Sequence, residues 1–447
     1  MAITDADLGV EFTSSDEFYT YILNDLFLPA VADTVINPNF LLSRIGRDST
    51  RVEGKDIVFP VHTGRNTGIN AISPGGNLPD PGSQAYDRYN FSVRHIYGRV
   101  LFDGVSVDAS KSQMASWLKV IESEIQGLAT DMARQRQRMY HGDGSGILCQ
   151  TSENPGTTTT INVEPFLGVE GNADDYNLTR HIKAGDFVSF VNPQDGTIRA
   201  DDSYKVASVT DTNTFETSAN IDSSVADNDG IVMASAFAAA GIDALSTSFL
   251  NEPMGLAGIF SDGGQYHDKA TPTTVDIDHT ALTFQGLNPA TAGNDWHQAN
   301  LLSNSGTQRS LTLSLMDQAY QKSMEVGDVV PTLILGSYGM FRTYADLLLT
   351  DRRFVDTKTF DGGYEALEYN GCPVAPDRDC YTNRFYFIYE PDLKIYVMSD
   401  PSWMDMDGSI YHRLPDKDAY QATMYCRETM GTDVRDRQTA LLDLNEL

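Results

Sequence analysis

The chain has 447 residues, more than the roughly 250–300 at which a single hydrophobic core stops growing, so two to four lobes are expected. Its 41% hydrophobic content suffices for such cores, and no run approaches the roughly 18 apolar residues of a membrane helix, so we expect a soluble protein with no membrane partner. The formal charge of −30 argues against a nucleic-acid-binding enzyme, because an acidic surface repels phosphates at long range.

The N-terminus and the cysteines indicate a reducing compartment. The first twelve residues, M-A-I-T-D-A-D-L-G-V-E-F, contain three acidic residues and no basic one, whereas a secretory signal begins with basic residues. We therefore expect the protein to remain inside the cell that makes it. No C-x-x-C spacing occurs, so the four cysteines are expected to be reduced, packed thiols rather than metal ligands; they are Cys149, Cys372, Cys380 and Cys426.

Residues 1–107 are predicted to form an arm and a projecting hairpin. Ser14 and Glu17 have capping-box spacing and predict a short amphipathic helix within an N-terminal arm, residues 1–55. A strand at 57–61 is followed by about 25 residues rich in Gly, Pro, Asn and Ser, and then by an alternating segment that predicts one or two strands. Long irregular loops usually have a function, and the obvious one for this hairpin, residues 56–107, is to reach a neighbouring molecule.

The longest helical pattern runs from about 110 to 140. Apolar residues recur at spacings of three, four and seven and predict one buried stripe on a helix about 45 Å long. The stripe consists of Met114, Trp117, Leu118, Ile121, Ile125, Leu128, Met132 and Met139.

The last turns of this helix hold Arg134, Arg136 and Arg138, where cations complement the negative end of the helix dipole. They are therefore expected to cap the helix, and a contact with a neighbouring subunit is a further interpretation. Gly142 is expected to end the helix in the left-handed conformation. The glycines at 142, 144 and 146 do not predict a phosphate site, because phosphate loops precede a helix rather than follow one.

The remaining chain alternates between β-rich and α/β patterns. Residues 151–235 contain short alternating runs separated by turns, with fourteen acidic against four basic residues, and predict an acidic β module. A loop-rich stretch reaches about residue 305. The strand pattern at 331–337 lies between two helical patterns and predicts an α/β lobe, and strands dominate the C-terminal third.

The sequence presents no recognisable catalytic, cofactor or metal motif. The eight histidines have no metal-ligand spacing, and D-M-D-G-S at 405–409 lacks two ligand positions of a calcium loop, so a turn is expected there. We therefore expect no enzyme activity and no cofactor. Two basic pairs are flanked by aspartates and predict either a solvated face or an intersubunit charge contact; they are Arg352 with Arg353 and Arg435 with Arg437.

The order of these parts resembles the major capsid proteins of tailed bacteriophages. The loop that ends the spine helix of that family is resembled by Y-H-G-D-G-S-G-I-L. The return strand of its extended loop is resembled by D-R-Y-N-F-S-V-R-H-I-Y-G-R-V-L-F-D-G-V-S-V-D, and its axial-domain strand and helix are resembled by P-T-L-I-L-G-S-Y-G-M-F-R-T. The resemblance implies an α+β phage-capsid fold. Its expected parts are an N-terminal arm (1–55), an extended hairpin loop (56–107), the spine helix of a peripheral domain (108–150), an inserted β domain (151–235), peripheral-domain strands (236–310), an α/β axial domain (311–415) and a C-terminal return to the peripheral domain (416–447).

The resemblance implies a protein that assembles into hexamers and pentamers of an icosahedral head, in the host cytoplasm, and encloses double-stranded DNA without binding it specifically. Implied partners are other copies of the chain, a separate scaffolding protein, a portal and a decoration protein, and the implied location is the virion. Candidate intersubunit contacts are Arg65, Arg94, Arg99, Arg352, Arg353, Arg435 and Arg437.

Two alternatives stay open: an encapsulin-like cargo shell of the same architecture, and an acidic intracellular hydrolase. Some members of the capsid family cross-link their shells through a lysine in the extended loop. This sequence has no lysine between Lys55 and Lys111, so we expect no cross-link of that kind.

Overall fold

The computed structural model describes residues 40–103, 114–166, 178–193, 197–199, 203–234, 247–261, 284–287, 295–305, 307–350, 357–359, 365–405, 410–414 and 417–446. The helix predicted around Ser14, the pair Arg352 and Arg353, and most of the turn predicted at 405–409 lie outside these residues. None of the described helices is both long enough and apolar enough to cross a lipid bilayer.

Strands outnumber helices in the described residues, and the expected α+β class is confirmed. The α-helices are α1 (Phe40–Arg44), α2 (Met114–His141), α3 (Leu256–Ile259), α4 (Leu313–Val326) and α5 (Tyr338–Thr350). The strands are β1 (Gly46–Asp48), β2 (Val52–Glu53), β3 (Asp56–Gly64), β4 (Ala85–Ser92), β5 (Arg94–Asp103), β6 (Ile147–Thr151), β7 (Thr160–Glu164), β8 (Phe187–Val191), β9 (Tyr204–Asp211), β10 (Thr214–Thr217), β11 (Gly230–Met233), β12 (Asn300–Leu302), β13 (Leu333–Gly336), β14 (Thr357–Thr359), β15 (Glu365–Tyr369), β16 (Cys372–Pro376), β17 (Phe385–Ile388), β18 (Leu393–Trp403), β19 (Tyr411–Arg413), β20 (Ala419–Thr432) and β21 (Thr439–Leu441).

The predicted long helix is α2, and it ends at His141 as expected. From Ile125 onwards its apolar stripe packs on the sheet that contains β5 and β20, where Ile125 and Met132 meet Ile96 and Met424 in one buried cluster. Burial of this stripe, rather than helix propensity alone, stabilises a helix of this length.

The sheet beneath α2 joins distant parts of the chain. Its strand order is β1-β18-β20-β19, with β5 also paired to β20. The β5–β20 pairing is antiparallel and continuous from Asp103 opposite Ala419 to Arg94 opposite Glu428. The strand that leaves the hairpin is therefore held by the C-terminal part of the chain.

The α/β lobe is built on a second sheet with the order β12-β21-β17-β13-β16-β15-β14. The predicted strand at 331–337 is β13, whose residues are all buried, and it is parallel to β16 and antiparallel to β17. Helices α4 and α5 contribute Met316, Met340 and Tyr344 to the core beside Ile334.

The expected boundary at residue 415 does not follow these sheets. Strands β18 and β19 belong to the sheet beneath α2, and the last strand, β21, returns to the sheet of the α/β lobe. The alternation of apolar residues identifies a strand but not its partner, because pairing depends on contacts between residues distant in sequence.

The strands predicted in the acidic segment close into a barrel with the order β10-β7-β6-β11-β8-β9. Its first strand begins at Ile147, directly after the glycine loop, so the barrel starts a few residues before the expected position. Apolar side chains fill the interior, among them Ile161, Phe190 and Phe215. A filled barrel of this size has no lumen for a ligand.

The predicted hairpin is formed by β3 and β4, paired from Asp56 opposite Ser92 to Gly64 opposite Ala85. The return segment contains two strands, β4 and β5, separated at Val93. The base of the hairpin is anchored, because Ile57, Phe59 and Tyr89 are buried in one cluster with Tyr396 of β18.

Candidate functional site

The outer part of the hairpin has no core of its own. Residues Ala85 to Arg88 of β4 are all exposed. Large apolar side chains point into solvent there, with Ile69 86% and Leu78 82% exposed. A two-stranded ribbon without a covered face is marginally stable in water, so this surface is suited to contact with another molecule.

Hydrogen bonds of one asparagine side chain close the tip of the hairpin, residues 65–84. The side chain of Asn66 donates to the carbonyl oxygen of Gly82 at 2.9 Å and accepts from the backbone N–H of Gly68 at 2.7 Å. A side chain at either glycine would collide, since a Cβ on Gly68 would lie 2.7 Å from the nitrogen of Gly82. The tip is therefore held as a defined loop, which lowers the entropy lost when it binds.

The base of the hairpin is fixed by a buried hydrogen-bond chain. The hydroxyl of Tyr89 donates to Nδ1 of His297 at 3.0 Å, and Nε2 of His297 donates to the carbonyl oxygen of Phe284 at 3.1 Å. Burial, together with the nearby Arg435 guanidinium, lowers the pKa of His297 to about 3. The imidazole is therefore neutral, as this pattern of one donor and one acceptor nitrogen requires.

The arginines expected at subunit contacts have different surroundings. Arg65, Arg94 and Arg99 lie on the hairpin and its return strand and are exposed, and Arg99 donates to the side-chain oxygen of Gln421. Arg437 is partly exposed and pairs with Asp392 at 2.9 Å.

Arg435 is not available for an intersubunit contact, which corrects that expectation. It is 1% exposed. Its guanidinium donates within the subunit to the carbonyl oxygens of Gly258, Ile259 and His297 at 2.8–3.1 Å. Flanking aspartates suggested a solvated pair, but the guanidinium instead satisfies carbonyl groups that the short helix α3 leaves without partners.

The end of α2 is a buried ionic junction. Arg136 donates from Nε and Nη2 to the two carboxylate oxygens of Glu428 on β20, at 2.6 and 2.8 Å, and neither side chain is more than 2% exposed. Arg138 donates to the carboxylate of Glu252, which follows the barrel. Arg134 is exposed, 3.7 Å from Asp131.

The guanidinium groups of Arg136 and Arg138 thus bind carboxylates of other elements, a role that the expected capping of the helix did not include. Burial opposes the charged form of Glu428, but Arg136 keeps the pKa of this carboxyl below its ordinary value. The pair is charged and joins the helix to the sheet beneath it.

The left-handed glycines lie two and four residues beyond the expected one. Gly144 and Gly146 have φ values of 86° and 80°, whereas Gly142 does not adopt positive φ. The N–H of Gly142 still donates to helix carbonyls, those of Arg138 and Met139. Gly146 is also closely packed, since a Cβ there would lie 2.5 Å from the carbonyl oxygen of Ser248.

His141 connects the helix end to the α/β lobe. Its Nδ1 donates to the carbonyl oxygen of Gln137 at 2.9 Å, and its Nε2 lies 3.5 Å from Oδ2 of Asp377. Both ring nitrogens thus face acceptors, which favours the doubly protonated ring. Burial alone would lower the pKa of His141, but the carboxylate of Asp377 raises it above the ordinary value. Burial likewise opposes the charged form of Asp377, yet the charge of His141 and hydrogen bonds from Gln137 and from the N–H of Asp379 lower its pKa to about 2.

The sequence contained one signal for this junction. Arg136 follows Met132 by four residues and so lies on the apolar stripe of α2, where an arginine must be paired if it is buried. Glu428, Glu252 and Asp377 had no comparable signal, because nothing local to them indicates that they meet α2. Among the described residues, no group of three His, Cys, Asp or Glu side chains is placed to hold a metal ion.

Comparison with solved structures places this architecture among viral capsids. A chain of the capsid asymmetric unit of cyanophage A-1(L) is 12% identical, with a TM-score of 0.50, and the alignment covers 96% of each chain. The chain has the fold of a phage capsid protein.

Two further similar structures are an encapsulin and the capsid of a GTA particle. The encapsulin of the holo-SrpI complex from Synechococcus elongatus is 8% identical, with a TM-score of 0.44, over 100% of this chain and 97% of the encapsulin. The capsid of a native GTA particle is 9% identical, with a TM-score of 0.43, over 98% and 96% of the two chains. No protein-family model matches the sequence, and neither does any curated protein.

The buried ion pair between Arg136 of α2 and Glu428 of β20 leads to a first prediction. Arg136→Met leaves the carboxylate of Glu428 buried, with Arg47 at 3.5 Å as its remaining cation among the described residues, so the free energy of unfolding should fall by about 3 kcal/mol. Urea unfolding of the dissociated subunit measures this change. The matched control Arg134→Met removes an exposed ion pair and should lower the free energy of unfolding by less than about 1 kcal/mol. Equal effects of the two substitutions would contradict the assignment.

The pair His141–Asp377 predicts a pH dependence. The pKa of His141 is raised in the folded subunit, so its contribution is fully present below about pH 6.5 and is lost as the pH rises through the folded pKa. The low pKa of Asp377 adds stability that is lost only as the pH falls towards about 2. Thermal unfolding between pH 5 and 9 should show a loss on the alkaline side that His141→Gln flattens. His62→Gln, at an exposed histidine of the hairpin, should retain it; an unchanged profile in His141→Gln would refute the prediction.

Proposed function

We propose that the chain is a major capsid protein that assembles with copies of itself into the hexamers and pentamers of an icosahedral head, which encloses phage double-stranded DNA. The observation that carries the proposal is the hairpin, whose outer part exposes large apolar side chains on a preformed tip. A shell subunit needs such an extension, because symmetry repeats one contact around every ring.

The body of the subunit supplies the rigidity that this role requires. The helix α2 is bound to β20 through Arg136, to the segment after the barrel through Arg138, and to the α/β lobe through His141. A force on the hairpin is therefore transmitted to a body that resists deformation. Because the body is rigid, many individually weak contacts can add up over a shell.

The charge distribution favours the same function. The hairpin and its return strand, residues 56–103, carry four arginines and four aspartates, so they are neutral within a chain of charge −30. A neutral extension can lie on an acidic neighbour without the repulsion that two acidic surfaces would experience. The acidic balance of the whole chain also limits adhesion of packaged DNA to the wall.

The remaining roles follow from this proposal. The virion is the location, and assembly takes place in the host cytoplasm. A separate scaffolding protein, a portal and a decoration protein are the proposed partners, and the acidic barrel is a decoration of the shell surface. Arg65, Arg94, Arg99, Arg352 and Arg353 are proposed subunit contacts, together with Arg437.

The assembly proposal predicts the effect of changing the tip. The double variant Ile69→Ser/Leu78→Ser removes two exposed apolar side chains, each worth about 1.5–3 kcal/mol if buried in a contact. We expect the critical concentration for rings, tubes or shells to rise at least tenfold, measured by sedimentation velocity and negative-stain microscopy. The unfolding midpoint of the subunit should not change, because neither side chain is in its core.

The matched control is Val209→Ser, an exposed apolar residue of the barrel that should leave assembly unchanged. A wild-type chain that remains a monomer at high concentration would refute the assembly proposal. Assembly of the double variant at the wild-type critical concentration would show that the tip is not part of the contact.

A further inference from the structure

An open cavity of about 280 Å³ lies at the base of the hairpin. Its wall combines five parts of the chain: the junction of β4 and β5, the glycine loop after α2, the segment after the barrel, residues 284–286, and β20. Phe91, Phe284 and Met430 contribute apolar side chains to this wall, and Asp143 and Glu252 contribute carboxylates. The cavity is therefore large enough for protein side chains and partly apolar.

Among the described residues, the side chain of Gln285 has no polar partner at this cavity. Its side chain is 4% exposed, and both its amide nitrogen and its amide oxygen lack a hydrogen-bond partner within the described part of the chain. An unsatisfied buried polar group costs about 1–3 kcal/mol, so such a residue is retained where a partner arrives from outside.

The backbone holds Gln285 in place rather than letting it turn away. The residue has a φ of 50°, and its carbonyl oxygen accepts from the N–H of Asn90 at 3.0 Å. The neighbouring Gly286 is in such close contact that a Cβ there would lie 2.2 Å from the carbonyl oxygen of Asn90. The amide is thus presented in a fixed position at the base of the hairpin.

Arg94 adds a cation to the same wall. It makes no ion pair with the described residues, and the groups packed around it desolvate the guanidinium and lower its pKa, although part of its surface is exposed. Gln285 and Arg94 together offer two kinds of N–H donor and one acceptor, beside an apolar surface. The complementary ligand is an amide or peptide group next to an alkyl side chain.

The hairpin tip carries this combination. Asn77 is exposed beside Leu78, which is 82% exposed. The tip cannot reach the cavity of its own subunit, because the nine residues of β3 separate base and tip by about 30 Å. It can reach the cavity of a second copy, in a head-to-tail contact that closes into a ring when the rotation permits.

We propose that the cavity at the hairpin base receives Asn77 and Leu78 from the hairpin tip of a second copy of this chain. The amide of Asn77 pairs with that of Gln285, Arg94 donates to a tip carbonyl group, and Leu78 covers the apolar wall. The assignment rests on the proposed shell function and specifies which surface accepts the hairpin.

The substitution Gln285→Leu tests the receiving side. It removes the unsatisfied amide at similar size, so the unfolding midpoint of the dissociated subunit should stay constant or rise. The critical concentration for assembly should nevertheless rise about tenfold, as it should for Arg94→Gln. The control Arg413→Gln, at an exposed arginine of β19 paired with Asp418 at 3.7 Å, should assemble as the wild type does.

Cross-linking tests whether the hairpin tip of a second copy occupies the cavity. The four native cysteines are buried, so Asp80→Cys on the tip and Ser92→Cys at the cavity rim can be joined by a short bismaleimide in assembled particles. We expect a ladder of covalent oligomers from the double variant and none from either single variant.

Each outcome has a distinct meaning. Normal assembly of Gln285→Leu would overturn the proposal and leave the cavity to water alone. Impaired assembly of Gln285→Leu without a ladder from the cysteine pair would overturn the tip as occupant. In both cases the proposed shell function would stand, whereas a wild-type chain that never assembles would remove the function and this contact together.

Discussion

The buried pair of Arg136 and Glu428 is the interaction on which the arrangement of the subunit depends. It joins residues 292 positions apart and connects the longest helix to the longest strand. That strand, β20, also carries β5 on one edge and β18 on the other, so the position of α2 determines the position of the hairpin base. Burying two charges is unfavourable unless both are paired, so the two elements have one stable arrangement rather than many.

Charge has two separate uses in this molecule. In the interior, Arg136, Arg138 and His141 each meet a carboxylate from a different part of the chain, so ionic contacts determine how the parts are oriented. On the surface, the excess of acidic residues acts at longer range and disfavours non-specific association. The hairpin is neutral, and it is the part of the subunit that presents apolar side chains to solvent.

The local elements could be predicted from the sequence because their signals are local. The periodicity of Ile125, Leu128 and Met132 predicted α2, and the alternation on either side of the Gly- and Pro-rich segment predicted the hairpin.

Strand partners could not be predicted, since the pairing of β5 with β20 depends on residues more than 300 positions apart. Gly142 was expected to end the helix in the left-handed conformation, but positive φ occurs at Gly144 and Gly146 instead. In the candidate site, the exposed tip was readable from its composition. The cavity could not be predicted, because the surroundings of Gln285, such as Arg94 and Gly431, come from distant parts of the sequence.

The pairing of β5 with β20 also has a consequence for biosynthesis. The return strand of the hairpin is synthesised more than 300 residues before its partner, β20. Contacts of such long sequence separation form slowly and late in folding. A nascent chain therefore lacks an anchored hairpin until β20 has been synthesised. The connectivity of one sheet thus makes the anchoring of the hairpin a late step in the folding of the chain.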